Sequence, residues 1–361
     1  MRREGAFLFL MGILPLAVSG LAAILTASLG AISAFILING AVITVLIQSF
    51  LLSIRNSKAY ADIEQLVENL SETNQAYSRF VPREFLTLLN KGDVTAVSLG
   101  DQAQYEMTIL FADVRNFTSI SENMTPAENF TLLNELLGAV GPMIRRHGGF
   151  IDKYQGDGIM ALFPNSPGDA VRAALEIQSQ LFTFNMRRIQ ENQPVIAIGI
   201  GIHTGKLILG TIGESQRMDG TVISDAVNTA SRLESLTKRY GASIIASDMV
   251  ISLLPADEKH QYRLLGKVRP KGKNNPVELY EILDCDPRSD ANLKHQSRVE
   301  FKSALMLYQQ GNFLGARSGF ERVLDANLKD RAAVYYLARC ISFIEHGIPE
   351  NWDGIEWMTE K

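Results

Sequence analysis

The stretch GGFIDKYQGDGIMALF, residues 148–163, reads as two short strands joined by a tight turn. Phe150–Tyr154 and Ile159–Phe163 are aromatic and aliphatic runs of strand length, and Gly156-Asp157-Gly158 between them supplies the turn. An aspartate in such a turn is ordinary turn chemistry when it stands alone. Here it has company. A second apolar run, Met107–Ala112, ends on Asp113, so two carboxylates stand at strand ends. Carboxylates held on rigid strand ends are hard oxygen donors of the kind a magnesium pair needs, with phosphate oxygens completing the coordination.

Outward from this pair, apolar runs predict further strands at Val195–His203, Leu207–Ile212, Ser243–Ala246 and Val277–Ile282. Amphipathic stretches predict helices at Pro126–Arg146, Asp169–Glu191 and Asp225–Tyr240, the last closed by Gly241. Strands and helices interleaved in this way imply an α/β sandwich around one sheet. Asn228 and Arg232 are four residues apart on the third helix and share one of its faces.

The chain has 361 residues and 46% hydrophobic content, room for one well-buried domain plus accessory segments. Its formal charge of −4 gives no basic surplus, which argues against nucleic acid as a partner. Its two cysteines, Cys285 and Cys340, lack CxxC spacing, so neither a disulfide framework nor a thiolate zinc site is indicated.

Three blocks in order, FADVRNFT (residues 111–118), residues 148–163, and RMDGTVISDAVNTASRLE (residues 217–234), resemble the signature blocks of class III nucleotidyl cyclases. The likeness runs from about Gln104 to Asp284. It implies a ferredoxin-like catalytic domain that converts ATP to 3′,5′-cyclic AMP and pyrophosphate with two divalent cations, Mg2+ or Mn2+. By the same resemblance Asp113, Asp157 and the backbone carbonyl of Val114 are the metal ligands. Lys153 and Thr221 would read the purine, Asn228 would orient the ribose, and Arg232 would stabilise charge developing on the phosphate. Arg217 and a lysine of Lys271-Gly272-Lys273, with Lys271 the first choice, would hold the terminal phosphates.

Lysine donates to adenine N1, and a threonine hydroxyl accepts from the exocyclic amine. The Lys153 and Thr221 pair therefore resembles the adenylate-forming subgroup. Guanylate cyclase is the near alternative; a catalytically silent nucleotide-binding scaffold is the alternative from another class. Two departures from the family pattern are Asn116 and Ser224, each where glycine is usual. In the family the metal aspartates come from one subunit and the base, ribose and transition-state residues from the other. This chain carries both sets, which implies a homodimer with two equivalent sites.

Residues 5–54 contain no Asp, Glu, Lys, Arg or His, more than the roughly 20 apolar residues one spanning helix needs. A break near Ser28-Leu29-Gly30 predicts two membrane helices. Arg2 and Arg3 before them and Arg55 and Lys58 after them place both ends in the cytoplasm, as in a multi-pass protein of the inner cell membrane. A cleaved signal peptide would show the same opening features. Asn39 and Gln48 are polar positions inside the second span.

Ala59, Ile63, Leu66, Leu70, Thr73, Tyr77 and Phe80 then form a heptad seam, suited to a parallel two-helix coil or to an amphipathic helix lying on the body. A short helix is expected over Pro82–Gly92. After a linker at Asp286–Asp290, three helical stretches are expected, with Gly311, Phe313, Ala316, Phe320 and Val323 at tetratricopeptide-like spacing. A single such unit either packs on the body or offers a surface to a protein partner. The expected organisation is a two-helix anchor (1–54), a coiled-coil or helical linker (55–104), a catalytic domain (105–285) and a small all-α segment (291–361).

Overall fold

A computed structural model describes residues 2–27, 30–122, 124–255, 258, 260–269, 275–348 and 352–357. They fall into two compact units, residues 1–80 and 81–361.

The first unit holds α1 (Arg2–Leu25) and α2 (Ala31–Tyr77). Small residues line their contact: Ser19, Ala23 and Thr44 are buried, and a side chain at Gly40 would collide with that of Ser19. Small residues let helix backbones approach closely where no large side chain intervenes. From Ala34 onward α2 is long and apolar enough to cross a membrane, and Ile13–Leu25 of α1 forms a shorter apolar segment. The Asn39 amide donates to the Phe35 carbonyl at 2.7 Å, so this polar group is satisfied within its own helix. Past Arg55 the helix continues unbroken to Tyr77, with Ile63, Leu66, Leu70 and Tyr77 of the seam exposed.

The second unit opens with α3 (Arg83–Leu88), shorter than the helix expected over Pro82–Gly92. Pro82 is the N-cap rather than a helical residue, and Asn90, with φ of 56°, turns the chain out of the helix early. The sheet comprises β1 (Gln102–Val114), β2 (Phe150–Gln155), β3 (Gly158–Phe163), β4 (Ile198–Glu214), β5 (Arg217–Ile223), β6 (Ile244–Ser247), β7 (Tyr262–Arg269), β8 (Val277–Ile282) and β9 (Glu356–Trp357). The strand order is β2-β3-β1-β4-β6-β8-β7-β9, with β5 paired to β4 off this path. The two strands expected over residues 195–212 are one, because His203-Thr204-Gly205-Lys206 runs straight through the antiparallel ladder with β1.

The helices of the body are α4 (Phe117–Ser121), α5 (Pro126–Arg146), α6 (Pro167–Gln190), α7 (Asp225–Tyr240) and α8 (Asp248–Ser252). Local chemistry fixes their ends. Thr125 and Glu128 close a capping box on α5, Ser166 caps α6, Ser224 caps α7, and Gly241 in the left-handed region terminates α7.

Strand alternation sorts the side chains onto two faces. Leu110, Ala112 and Val114 join Ile198, Ile200 and Ile202 in a core shared with α5 and α6. Ile109, Phe111 and Asp113 take the other face. There Gly199 pairs with Asp113 and Gly201 with Phe111. A side chain at Gly199 would run into Thr237, and one at Gly201 into the backbone of Glu234. Helix α7 therefore lies directly on β4. A smaller core on this face joins Phe85 and Leu89 to Phe150, Met160, Leu207, Leu209 and Val222.

Among the described residues the C-terminal segment has four helices where three were expected: α9 (Arg288–Gln296), α10 (Arg298–Gln309), α11 (Phe313–Ala326) and α12 (Arg331–His346). Phe313, Ala316, Phe320 and Val323 form the buried face of α11. They share one core with Leu233, Leu236 and Tyr240 of α7 and Leu265 and Val268 of β7. The expected linker is also anchored. Lys294 donates to Asp286 at 2.6 Å and to Glu281 at 2.7 Å, while Arg263 donates to Glu281 at 2.6 Å and to Asp330 at 2.5 and 2.9 Å. Buried charges persist only when paired in this way.

Candidate active site

The register Ala112↔Ile159 between β1 and β3 sets the β2–β3 turn beside the end of β1. This brings Asp157 to Asp113. Burial, and then the Asp157 charge, raise the pKa of Asp113 to about 6. A side chain at Gly158 would place its Cβ 3.0 Å from Asp113 Oδ1, so glycine is what leaves this space open. Val114, next along the strand, is held by its buried side chain and its pairing with Ile198.

Two adjacent carboxylates beside a strand-end carbonyl, all hard oxygens, fit Mg2+ or Mn2+. Among the described residues no group of three His, Cys, Asp or Glu side chains could hold an ion. Further ligands would have to come from backbone, substrate or water.

Lys153 and Thr221 also meet, Nζ donating to Oγ1 at 3.4 Å. They come from strands at opposite ends of one half of the sheet, and the small core under α3 fills the space between the β2–β3 and β4–β5 hairpins. A β-bulge at Asp152 re-aims the lysine, since Ile151 pairs with Ala161 but Lys153 with Met160. The Lys153 ammonium also lies 3.3 Å from the Asp152 carboxylate. Burial raises the Asp152 pKa, and that ammonium opposes the rise.

Ala226, Thr229, Ala230 and Leu233 are the packed face of α7, which leaves Asn228 exposed and Arg232 half-buried on another. Arg232, Glu234, Ser235 and Lys238 line a cleft of about 600 Å³ together with Asp113–Asn116. Arg232 and Asp113 of one chain thus border the same space. Arg217 stands exposed at the start of β5, opposite Glu214 in the hairpin ladder. Lys271 and Lys273 lie outside the described residues.

The two departures from the family pattern have local reasons. Asn116 adopts φ of 57°, the left-handed region that asparagine tolerates best after glycine. Ser224 is extended and needs no glycine; its hydroxyl accepts from the Ala226 N–H at 2.8 Å and donates to the Lys206 carbonyl at 2.5 Å.

Sequence reasoning missed Glu234 and Arg115. Burial, and then the Asp113 charge, lift the Glu234 pKa to about 7, with Arg115 pulling the other way. The Arg115 guanidinium donates to the carbonyls of Ala242 at 2.5 Å and Thr237 at 3.4 Å, tying the end of β1 to the end of α7. The alternation Ile198-Gly199-Ile200-Gly201 was the available signal, because glycine on one face of a strand marks close approach by another element.

The chain is similar to known cyclases. An adenylate cyclase of Anabaena cylindrica is 42% identical over 219 residues, covering 59% of this chain and 44% of that protein. The terminal-differentiation-specific adenylate cyclase of Dictyostelium discoideum is 32% identical over 297 residues, covering 81% of this chain and 14% of that protein. The chain therefore spans less than half the length of these two relatives. A solved bacterial light-regulated adenylyl cyclase aligns with a TM-score of 0.54 at 26% identity, covering 65% of this chain and 68% of that one. Residues 100–283, just over half of the chain, match the adenylate and guanylate cyclase catalytic domain, so the strands and helix that carry Asp113, Asp157, Lys153 and Arg232 are those of a member of that family.

Proposed function

We propose that this chain is a membrane-anchored adenylate cyclase that converts ATP to 3′,5′-cyclic AMP and pyrophosphate at a homodimer interface. The observation that carries the choice of nucleotide is the Lys153–Thr221 pair at 3.4 Å. On binding adenine, the lysine would donate to N1 and the threonine hydroxyl would accept from the amine. Guanine carries a proton on N1 and would set donor against donor.

In the reaction the ribose 3′-oxygen attacks the α-phosphorus, the bond to pyrophosphate breaks, and the 3′-hydroxyl proton is lost. Two divalent cations, Mg2+ or Mn2+, held by Asp113, Asp157 and the Val114 carbonyl, would acidify that hydroxyl and neutralise the leaving group. Asn228 orients the ribose. Arg232 offers a planar, permanently charged fork to the phosphate oxygens as charge builds. Arg217 and Lys271 are assigned to the terminal phosphates.

The apolar length of α2 supports a membrane anchor, and we assign two spans with the catalytic body on the cytoplasmic side of the inner membrane. Exposed Ile63, Leu66, Leu70 and Tyr77 on α2, and Ile208, Ile212, Met218 and Ile223 on the β4–β5 hairpin, support association of two copies. One observation favours a second reading, in which the metal aspartates and the arginine act within one chain: Asp113 and Arg232 line the same cleft.

Purified protein is to be assayed with ATP and with GTP and the cyclic product identified; cyclic GMP as the main product would overturn the adenylate assignment. Asp113→Ala, Lys153→Ala and Arg232→Ala are each expected to lose activity. Mixing the Asp113→Ala and Arg232→Ala proteins restores turnover if the site is shared between copies. No recovery from two folded, dimeric variants favours the single-chain reading.

A further inference from the structure

Helix α7 has two differently occupied halves. Its first half presents Asn228 and Arg232, while its second half buries Leu233, Leu236 and Tyr240 in a core built largely from the C-terminal helices. The C-terminal segment therefore grips the helix on which the reading of Arg232 as the transition-state residue depends.

The grip is specific in its polar atoms. The Tyr336 hydroxyl donates to the Leu265 carbonyl at 2.8 Å. Its single proton is thereby used, so in the 3.4 Å contact between the two hydroxyls Tyr240 is the donor. Leu265 is the extra residue of a β-bulge, between the pairs Leu264↔Tyr280 and Gly266↔Leu279, which frees its carbonyl for the tyrosine. A side chain at Gly266 would occupy the place of the Tyr336 hydroxyl.

The Tyr240 and Tyr336 rings stack at 5.9 Å, and Tyr335 meets them edge-on at 5.4 and 5.3 Å. Just beyond Tyr240, a side chain at Gly241 would lie 2.5 Å from Cδ of Arg331, so the start of α12 rests on the end of α7. Phenylalanine would fill the same volumes. The hydroxyls add direction, since a buried hydroxyl is tolerated only where its partner is in place.

We infer that Tyr336 and Tyr240 are positioning residues through which the C-terminal helices set the placement of α7 and hence of Arg232. Arg232 is eight residues from Tyr240, about 12 Å along a continuous helix. A small shift of the gripped end therefore reaches the guanidinium. Catalytic constellations respond steeply to such shifts, with about 1 Å of misplacement reducing rate by about a hundredfold.

The test uses the full chain carrying Tyr336→Phe or Tyr240→Phe, assayed with ATP and Mg2+ and followed by thermal unfolding. The expected result is a kcat lower by about three- to tenfold, from a displacement well under 1 Å, with KM for ATP unchanged. In an Arg232→Lys background the same tyrosine changes are expected to have little further effect on kcat, because the group they position is already displaced. Should Tyr336→Phe fail to fold, Tyr240→Phe keeps the bond to Leu265 and answers alone. Wild-type kcat in folded tyrosine variants, or a full multiplicative loss in the Arg232→Lys background, would overturn the inference while leaving an inactive Arg232→Ala as support for the catalytic assignment. Wild-type turnover in Arg232→Ala would overturn that assignment and this inference with it.

Discussion

Replacing Asp113 by asparagine is expected to stabilise the protein while abolishing its turnover. The folded structure lifts the Asp113 carboxyl from 3.8 to about 6, through burial first and the neighbouring Asp157 second. A rise of that size disfavours the ionised form by at most about 3 kcal/mol. Asp113 is only partly buried, and solvent screening reduces the effect to about 1–2 kcal/mol.

The sign follows from proton binding. A carboxyl whose folded pKa is raised binds its proton more tightly in the native state, so stability falls as pH rises from 3.8 to about 6 and stays reduced above it. Asparagine carries no such penalty. In thermal unfolding with a metal chelator near neutral pH, Asp113→Asn should melt about 2–6 °C above wild type. The difference should vanish below pH 3.8, where the aspartate is protonated in both states. Excess Mg2+ should restore the wild type selectively, because ligand binding to the native state raises stability. A chelated Asp113→Asn that melts below wild type near neutral pH would refute the claim that this carboxylate is held at an energetic cost for metal capture.

Three further outcomes are expected. Gly158→Ala puts a methyl 3.0 Å from Asp113 Oδ1 and 3.3 Å from the Gln155 carbonyl, and should lower kcat/KM by about tenfold or more while raising the metal concentration needed for half-maximal rate. Asp330→Ala leaves the buried Arg263 with Glu281 as its remaining carboxylate partner; denaturant unfolding should show a loss of about 3–5 kcal/mol. Lys153→Glu combined with Thr221→Cys should move the product ratio from cyclic AMP toward cyclic GMP, read by chromatography of products from equimolar ATP and GTP.

The Asp113–Asp157 end of the candidate site was legible because strand ends and turns are written locally. An apolar run closing on Asp113, and Gly-Asp-Gly between two runs, need no tertiary knowledge. The C-terminal end of α7 was legible for the same reason, from Gly241, whereas the capping role of Ser224 emerged with the structure. Strand β5 was not, because Asp219-Gly220-Thr221 separates Met218 from the apolar Val222-Ile223 and most of it is exposed, paired with β4 among the described residues. Strand β7 was hidden by Arg263, a charge whose burial makes sense only with Glu281 and Asp330, 18 and 67 residues away. Glu234 looked like any helix glutamate until α7 was seated on the sheet. The amphipathic pattern of α11 declared a buried face but not what covers it, and the cover proves to include helix α7.

What sets the distance between Asp113, Asp157 and Arg232 is the pleat of β4, since no bond joins the carboxylates to the arginine among the contacts described. Ile198, Ile200 and Ile202 point into the core shared with α5 and α6, so Gly199 and Gly201 must point the other way. With no side chain there, α7 descends until the Glu234 backbone and Thr237 meet the strand. Asp113, opposite Gly199, is thereby drawn to the rim of the cleft that Arg232 and Glu234 line. Burial raises both Asp113 and Glu234; Asp157 adds to the rise at Asp113, and the Asp113 charge adds to the rise at Glu234, the last being the electrostatic consequence of that close seat. Arg115 offsets part of the rise at Glu234, and its guanidinium bonds the carbonyls of Thr237 near the end of the same helix and of Ala242 just past it. The alternation of isoleucine and glycine along one strand thus does two jobs at once: it builds the hydrophobic core on one face and brings the cationic helix to the anionic strand end on the other.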